Sequence, residues 1–334
     1  MNELHARAIV GKTSLSVPRV GIGTAPLGNM FRAHTDAEAD AVLASAVALG
    51  LRYFDTAPLY GHGLAEQRVG RAVAGLPRDE VIVSTKVGRL LRADAPRDES
   101  QFFEGKPFYR DVPPVGPVFD YSYDGIMTSV EESYERTGLD RFDMLLLHDP
   151  DDHLPAASTT GYRALAELRA NGTTRAIGAG MNHAPAMTRL LDACDLDVLL
   201  VAGRYTLFDQ EAMDELLPLC EERTTSIVVG GVFNSGILID PSPGARYNYV
   251  PASAAELARA NRIKAVCARY DVALPAAALQ FPFAHPRVCT VLIGFRSIGQ
   301  QEQNLAWLDA PIPADLWTDL KAEGLLRADA PTPA

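Results

Sequence analysis

Cysteine is scarce in this chain of 334 residues: four are present, at Cys194, Cys220, Cys267 and Cys289, and none sits in a C-x-x-C pair. That spacing builds neither a zinc ribbon nor a thioredoxin-type redox site. The mostly apolar contexts (DACDLD, PLCEER, AVCARY, RVCTVL) suit reduced, partly buried thiols. Basic charge is short as well. Lys and Arg number 31 against 42 Asp and Glu, a net charge of −11, so the basic footprint that nucleic acid or an anionic membrane needs is missing. No stretch reaches the ~18 apolar residues of a membrane span. The opening MNELHARAIVGKTS holds no apolar run of signal-peptide length. The expectation is a cytoplasmic protein that acts on a small molecule.

An intact dinucleotide fingerprint is also lacking. The G-x-G-x-x-G pattern of an open doubly wound sheet lies between a strand and a helix. Gly21-Ile-Gly23-Thr-Ala-Pro-Leu-Gly28 has the wrong third spacing and a proline in the way. Gly178-Ala-Gly180-Met-Asn-His183 lacks the third small residue, although Asp197 follows at the distance the fingerprint asks for.

What the chain does have is an alternation of short apolar runs with helical patterns. The runs are Val20–Gly23, Arg52–Asp55, Val81–Thr85, Met144–His148, Arg175–Gly178, Val198–Ala202, Ser226–Val229 and Val288–Ile293. Rich in Val, Ile and Leu, they suit parallel strands covered on both faces. Helical patterns lie between them: Ala37–Leu49 with Asp36 as N-cap and Gly50 as stop, Ala65–Ala74, Tyr123–Thr137, Thr160–Ala170, Ala184–Ala193, Glu211–Arg223, Ala254–Tyr270 and Pro275–Ala284. About eight such units with no Pro/Gly/Ser-rich linker predict one α/β domain over residues 1–334, a closed (β/α)₈ barrel, with a doubly wound sheet as the alternative. Ala6–Pro18 reads as a hairpin under the barrel. The long segments Gly88–Asp120 and Phe233–Pro251 follow strands 3 and 7, so both are expected to overhang the catalytic face. The tail after Asp309 is expected to fray.

In such a barrel, polar residues at the C-terminal strand ends are the catalytic candidates. Strand 2 ends at Asp55 with Tyr60 just beyond, strand 3 at Lys86 and strand 4 at His148. Singly, each has a plain structural reading as a cap, a solvated end or a satisfied histidine. Together, at three successive strand ends, they form a coherent set. A Lys beside a Tyr lowers the phenol toward neutrality and makes Tyr60 a usable general acid/base. Asp55 would hold Lys86, and a neutral His148 would hydrogen-bond the reacting oxygen. The set contains no strong nucleophile and no metal trio. It suits proton transfer at a C–O group coupled to hydride transfer from a cofactor.

These residues lie in motifs that resemble the aldo-keto reductase superfamily along nearly the whole chain. The motifs are Gly21-Ile-Gly23-Thr24, Leu51-Arg-Tyr-Phe-Asp55-Thr-Ala-Pro-Leu-Tyr60-Gly61, Glu66-x-x-Val-Gly70, Ser84-Thr-Lys86, Asp143-Met-Leu-Leu-Leu-His148, Ile177-Gly178 with Asn182, and Ile293-Gly294 leading to Asn304. The resemblance implies the (β/α)₈ barrel and the tetrad Asp55, Tyr60, Lys86 and His148. Three segments, Ala202–Gln210, Gly231–Leu238 and Phe119–Gly125, narrow it to the sugar 1-dehydrogenase branch, which takes in aldose, L-fucose, L-galactose and pyridoxal dehydrogenases. It implies oxidation of a cyclic hemiacetal to a lactone with NAD(P). The rivals are an NADPH-dependent carbonyl reductase and a slow cofactor-sensing binding module. It also implies a monomer or weak homo-oligomer.

For the cofactor the resemblance implies Gly23, Thr24, Asp55, Asn182, Asn234, Gly236, Gly294, Arg296, Ser297, Gln300, Gln303 and Asn304. Met181 and Ala202 replace the family's usual Ser and Gln, and Val229-Gly230-Gly231 stands where the family stacks a Tyr, so either the nicotinamide is held differently or Tyr205 or Phe233 is expected to supply its aromatic face. Gly294 and Gln300 are uncharged where NADP-dependent members are basic. A 2′-phosphate needs charge-assisted partners, so NAD is the preferred expectation over NADP, with Arg296 close enough to substitute. For the substrate the candidates are Tyr60, His148, Asp149 and Phe119. The D-P-D-D sequence after His148 equally makes a good solvated turn.

Overall fold

The structure, a computed structural model, describes residues 3–96, 98–103 and 105–333. Met1, Asn2, Arg97, Glu104 and Ala334, which fall in the expected domain and in its long third loop, lie outside the described residues. Eight parallel strands form the wall: β1 Val20–Gly23, β2 Tyr53–Asp55, β3 Ile82–Val87, β4 Met144–His148, β5 Ala176–Met181, β6 Val198–Ala202, β7 Ser226–Gly230 and β8 Val288–Ile293. Each pairs with the next in chain order, and β8 pairs with β1, so the sheet closes. The open-sheet alternative is therefore excluded. The α-helices of seven or more residues among the described residues are α1 Asp36–Ala48, α2 Leu64–Val73, α3 Tyr123–Thr137, α4 Tyr162–Ala170, α5 Ala184–Ala193, α6 Leu216–Arg223, α7 Ala254–Arg269, α8 Leu274–Gln280, α9 Ile298–Asp309 and α10 Ala314–Ala322.

Alternation along the strands sorts their side chains. Phe54, Val83, Leu145, Leu147 and Ile177 pack outward against the helices. Tyr53, Ile82, Met144, Leu146, Ala176, Val198, Leu200, Val228 and Leu292 fill the barrel interior. Period two then sends Asp55, Ser84, Lys86 and His148 inward at the same end as one another. Below them, Arg7–Ile9 pairs antiparallel with Ser16–Pro18, and Val10, Leu15 and Val17 of that hairpin join the interior cluster. The Gly11 N–H donates to Ser226 Oγ at the start of β7, 2.7 Å away. The hairpin thus plugs the bottom, as expected from the sequence.

Some boundaries shift for physical reasons. The N-cap of α1 is Thr35, not Asp36: its hydroxyl accepts from the Glu38 N–H and the Glu38 carboxylate accepts from the Thr35 N–H, a reciprocal box worth about 1 kcal/mol. The expected Glu211–Arg223 helix splits into a short turn at Glu211–Met213 and α6, because Pro218 fits the first turn, where its missing N–H is not needed. The tail does not fray. Leu316, Trp317 and Leu320 of α10 are buried, as are Leu325, Leu326 and Ala330 beyond it, since their spacing makes one apolar helical face.

Two long loops and a short one meet over the mouth. The loop after β3 carries the paired strands Arg89–Arg92 and Gly116–Phe119. The loop after β7 carries a hairpin, Arg246–Tyr247 with Val250–Pro251. Phe108 of the former meets Tyr249 of the latter at 5.3 Å between ring centroids. The Arg246 guanidinium lies 4.4 Å from the Phe103 ring and 4.9 Å from Phe31 of the β1 loop.

Candidate active site

Lys86 sits inside β3, not past its end, and is 1% exposed. Its Nζ donates to Asp55 Oδ2 at 2.7 Å and to the Thr56 carbonyl at 3.0 Å. Ser84, two residues earlier on the same face, donates to Asp55 Oδ1 at 2.8 Å, and the Tyr53 hydroxyl lies 3.1 Å from Ser84 Oγ. Both oxygens of the buried carboxylate are therefore held. The alternation Tyr53/Asp55 and Ser84/Lys86 is the sequence signal for this support.

Tyr60 comes from the β2 loop. Its ring lies 4.6 Å from the Lys86 ammonium and 5.8 Å, edge to face, from the His148 ring. All four expected catalytic residues thus converge. The charge balance differs from the sequence expectation. The Tyr60 phenol is pushed well above its ordinary value, first by burial, then by the Asp55 charge and the neighbouring Tyr249 and Asp149. The expected drop toward neutrality is corrected here: Lys86 is neutralised by Asp55 and lies against the ring face, while burial disfavours the phenolate. His148 is held well below its ordinary value by burial, then by Arg89 and Lys86, so it is neutral. Its Nδ1 is buried without a partner among the described residues. Its Nε2 stands 3.7 Å from Asp149 Oδ2.

Above these residues opens a cavity of about 300 Å³, walled by Tyr60, Lys86, Arg89, His148, Asp149 and Asn182, with Met181 and Ala202 on one side and Phe108, Tyr109 and Tyr249 on the other. Arg89, Tyr109 and Tyr249 escaped sequence reasoning. Arg89 reaches the site because Gly88 turns the chain at φ 93°, where a Cβ would stand 2.3 Å from the Tyr121 ring. Phe119 does not line the cavity; its ring packs 4.6 Å from the Arg89 guanidinium.

The residues expected to hold a cofactor divide. Asn182 is exposed on the cavity wall. Ser297 caps α9 by accepting from the Gln300 N–H at 3.2 Å, and Gln300 Oε1 accepts from the Arg296 N–H at 2.8 Å. Gln303 is exposed on the first turns of α9 and Asn304 is buried behind it. Gly294 packs so close to Pro26 that a Cβ would stand 3.0 Å from its Cγ. Gly23 and Thr24 close the end of β1, the Thr24 hydroxyl donating to the Asp55 carbonyl at 2.9 Å.

Three expectations need correction. Tyr205 is fully buried against Phe281 and His285 and presents no face to a ligand. Phe233 packs edge-on against Trp307 and does not line the cavity. The Asn234 side chain is already engaged, donating to the Gly203 carbonyl at 3.0 Å and accepting from Thr206 at 2.6 Å. It clamps two loops, and beside it Gly236 at φ 108° has open space around its Cα.

At the rim between the β1 and β8 loops, positive charge gathers. Arg296 donates to the Met30 carbonyl at 3.1 Å, while its Nε is buried without a partner among the described residues. Burial, then the Arg32 charge, lowers its pKa. His34 beside it is also lowered, by burial and then by Arg32, and its Nε2 is buried without a partner among the described residues. Two guanidiniums beside a helix N-terminus make a ready anion site. The cysteines offer no alternative chemistry. Burial pushes Cys194 and Cys289 up to about 11 and Cys220 and Cys267 up to about 12.

A closed barrel with Tyr, Lys, Asp and His at one mouth defines a class, and the comparisons with known proteins agree. The aldo/keto reductase family model matches residues 19–323. The chain belongs to that family and is an NAD(P)-dependent oxidoreductase acting on a small molecule. It is similar to the D-threo-aldose 1-dehydrogenase of a Pseudomonas species, 44% identical over 96% of each chain. It is also similar to the pyridoxal 4-dehydrogenase of Microbacterium luteolum, 39% identical over 95% of this chain and 97% of the relative. Among solved structures, the aldo-keto reductase of Bacillus halodurans in its holo form is 26% identical, with a TM-score of 0.72 over 97% of both chains.

Proposed function

We propose that the protein oxidises the hemiacetal carbon of a cyclic aldose to a lactone, with NAD as the preferred cofactor. The observation that carries this reading is the meeting of Tyr60 and the neutral His148 at one cavity, backed by the buried Lys86–Asp55 pair. The similarity to an aldose dehydrogenase supports the substrate class.

The residues fit a dinucleotide. The unpartnered buried nitrogens of Arg296 and His34, with Arg32 and the N-terminus of α9, suit an anionic group at the rim. Asn182 suits an amide on the cavity wall. A bound nicotinamide would supply the acceptor for the hydride leaving the reacting carbon. The chain's own part is positional and protonic. The hemiacetal hydroxyl rests between Tyr60 and His148. The single proton of His148 sits on Nε2, where a carboxylate faces it, and that N–H donates to the reacting oxygen. Tyr60 moves the proton at that oxygen: as phenolate it takes the proton and the C=O of the lactone forms, and as phenol it returns the proton in the reverse direction. Lys86, paired with Asp55, lies 4.6 Å from its ring and holds the phenol in place. Gly294 and Gln300 carry no charge for a 2′-phosphate, which supports NAD. The cavity's Phe108, Tyr109 and Tyr249 support a second reading, oxidation of the internal hemiacetal of pyridoxal. We place the enzyme in the cytoplasm, where its four free, buried cysteines stay reduced, as one domain over 1–334 acting as a monomer or weak homo-oligomer.

The test is an oxidation screen with NAD and NADP against L-fucose, D-arabinose, L-galactose and pyridoxal. Aldose oxidation to an acid-releasing lactone is expected. Inertness toward all four, with reduction of simple aldehydes by NADPH, overturns the reading in favour of a general carbonyl reductase.

A further inference from the structure

Asp149 has a backbone that few aspartates adopt, at φ 44°, a left-handed conformation unusual outside glycine and Asn or Asp. Its N–H donates to the Gly180 carbonyl at 3.0 Å, which fixes the turn at the end of β4. Arg89 fixes the side chain: its Nη2 donates to Asp149 Oδ2 at 2.6 Å, and its Nε lies 3.4 Å from the His148 carbonyl. The guanidinium carbon lies 4.6 Å from the centroid of the Phe119 ring. A buried Arg, an aromatic plate and a strained turn thus hold one carboxylate at the cavity wall beside His148. Only Oδ2 is engaged among the described residues, so Oδ1 keeps its lone pairs. A solvated acidic turn, the plain reading of this sequence, needs none of that support.

We propose that Asp149 accepts the hydroxyl on the carbon next to the reacting one, and that Arg89 is the positioning residue that aims it. This deepens the aldose reading and rests on it. An oxygen bonded to His148 Nε2 lies about 3 Å from that nitrogen, and Asp149 Oδ2 stands 3.7 Å from the same nitrogen. Neighbouring oxygens of a vicinal diol are separated by about one hydrogen-bond length, so the adjacent hydroxyl falls within reach of the carboxylate. Charge sharpens the choice. The cations on the wall, Lys86 and Arg89, are each paired with a carboxylate, and His148 is neutral. The cavity therefore selects an uncharged polyhydroxy ring over an aldonate, a uronate or a sugar phosphate.

The experiment compares L-fucose, D-arabinose and L-galactose, whichever the wild-type enzyme oxidises, with the 2-deoxy counterpart. A hydrogen bond to a charged acceptor predicts a kcat/KM about ten- to a hundredfold higher for the parent sugar. In Asp149→Asn that ratio should fall to within about threefold, mainly through KM for the parent, with dinucleotide affinity shifting less than about twofold. Arg89→Lys keeps the charge and loses the fork, so it should raise KM for the parent and not for the 2-deoxy sugar. Equal kcat/KM for the two sugars in the wild type overturns the proposal, as does a wild-type ratio in Asp149→Asn. Should that variant not fold, the wild-type ratio alone decides. If no aldose is oxidised at all, the aldose reading itself fails. Oxidation without discrimination sinks only the role given to Asp149.

Discussion

Lys86 and Asp55 form an ion pair at 2.7 Å in which neither side chain is more than 3% exposed. A buried pair is costly to break, because the surviving charge is left without a partner. Asp55→Asn should therefore destabilise the fold by about 3–5 kcal/mol, measured by urea denaturation. Lys86→Met leaves a carboxylate still held by Ser84, and should remove most of the oxidation rate. A near-wild-type urea midpoint in Asp55→Asn would show that the pair contributes little.

Tyr60→Phe removes one oxygen at the cavity wall and leaves the ring against Lys86. Proton transfer by a positioned side chain is worth about 10²–10⁴ in rate, so kcat should fall by that order. Dinucleotide affinity, read by fluorescence titration, should change by less than about twofold, since the groups proposed to hold its anion, Arg296 and His34, lie between the β1 and β8 loops and the variant leaves them in place. Wild-type turnover in this variant contradicts the role.

Gln300→Arg places a guanidinium on the exposed first turn of α9, near Arg296. A charge-assisted contact to a 2′-phosphate contributes about 1.5–3 kcal/mol, so the ratio of NADP to NAD affinity should rise about tenfold or more. Equilibrium titration with both nucleotides checks this. An unchanged ratio shows that the missing charge at this position does not set the preference.

The barrel and its tetrad were legible because Asp55, Lys86 and His148 each end an apolar run, and strand alternation sends them inward together. Arg89, Tyr109 and Tyr249 were not, because they reach the cavity only after Gly88 and the Asn248–Tyr249 tip, both at positive φ, fold irregular loops back over the mouth. Tyr205 and Phe233 looked usable by closeness in sequence, and packing against Phe281 and Trp307 took them away. Pro311, Pro313, Pro331 and Pro333 hid the buried face of Leu316, Trp317 and Leu320 between them. The state of the Tyr60 phenol was not legible, because burial and the counter-charge of Asp55, which outweigh the nearby ammonium, exist only in the folded barrel.

That correction sets the most direct test, the pH dependence of aldose oxidation under saturating cofactor in single turnover. In the mechanism proposed above, oxidation needs the phenolate of Tyr60, whose pKa burial pushes well above its ordinary value. The phenolate fraction, and with it the rate, should rise about tenfold per pH unit without levelling off below about pH 10. The limb should vanish in Tyr60→Phe. A wild-type rate that is flat above neutral pH, or a limb that persists in Tyr60→Phe, would contradict proton transfer by this residue.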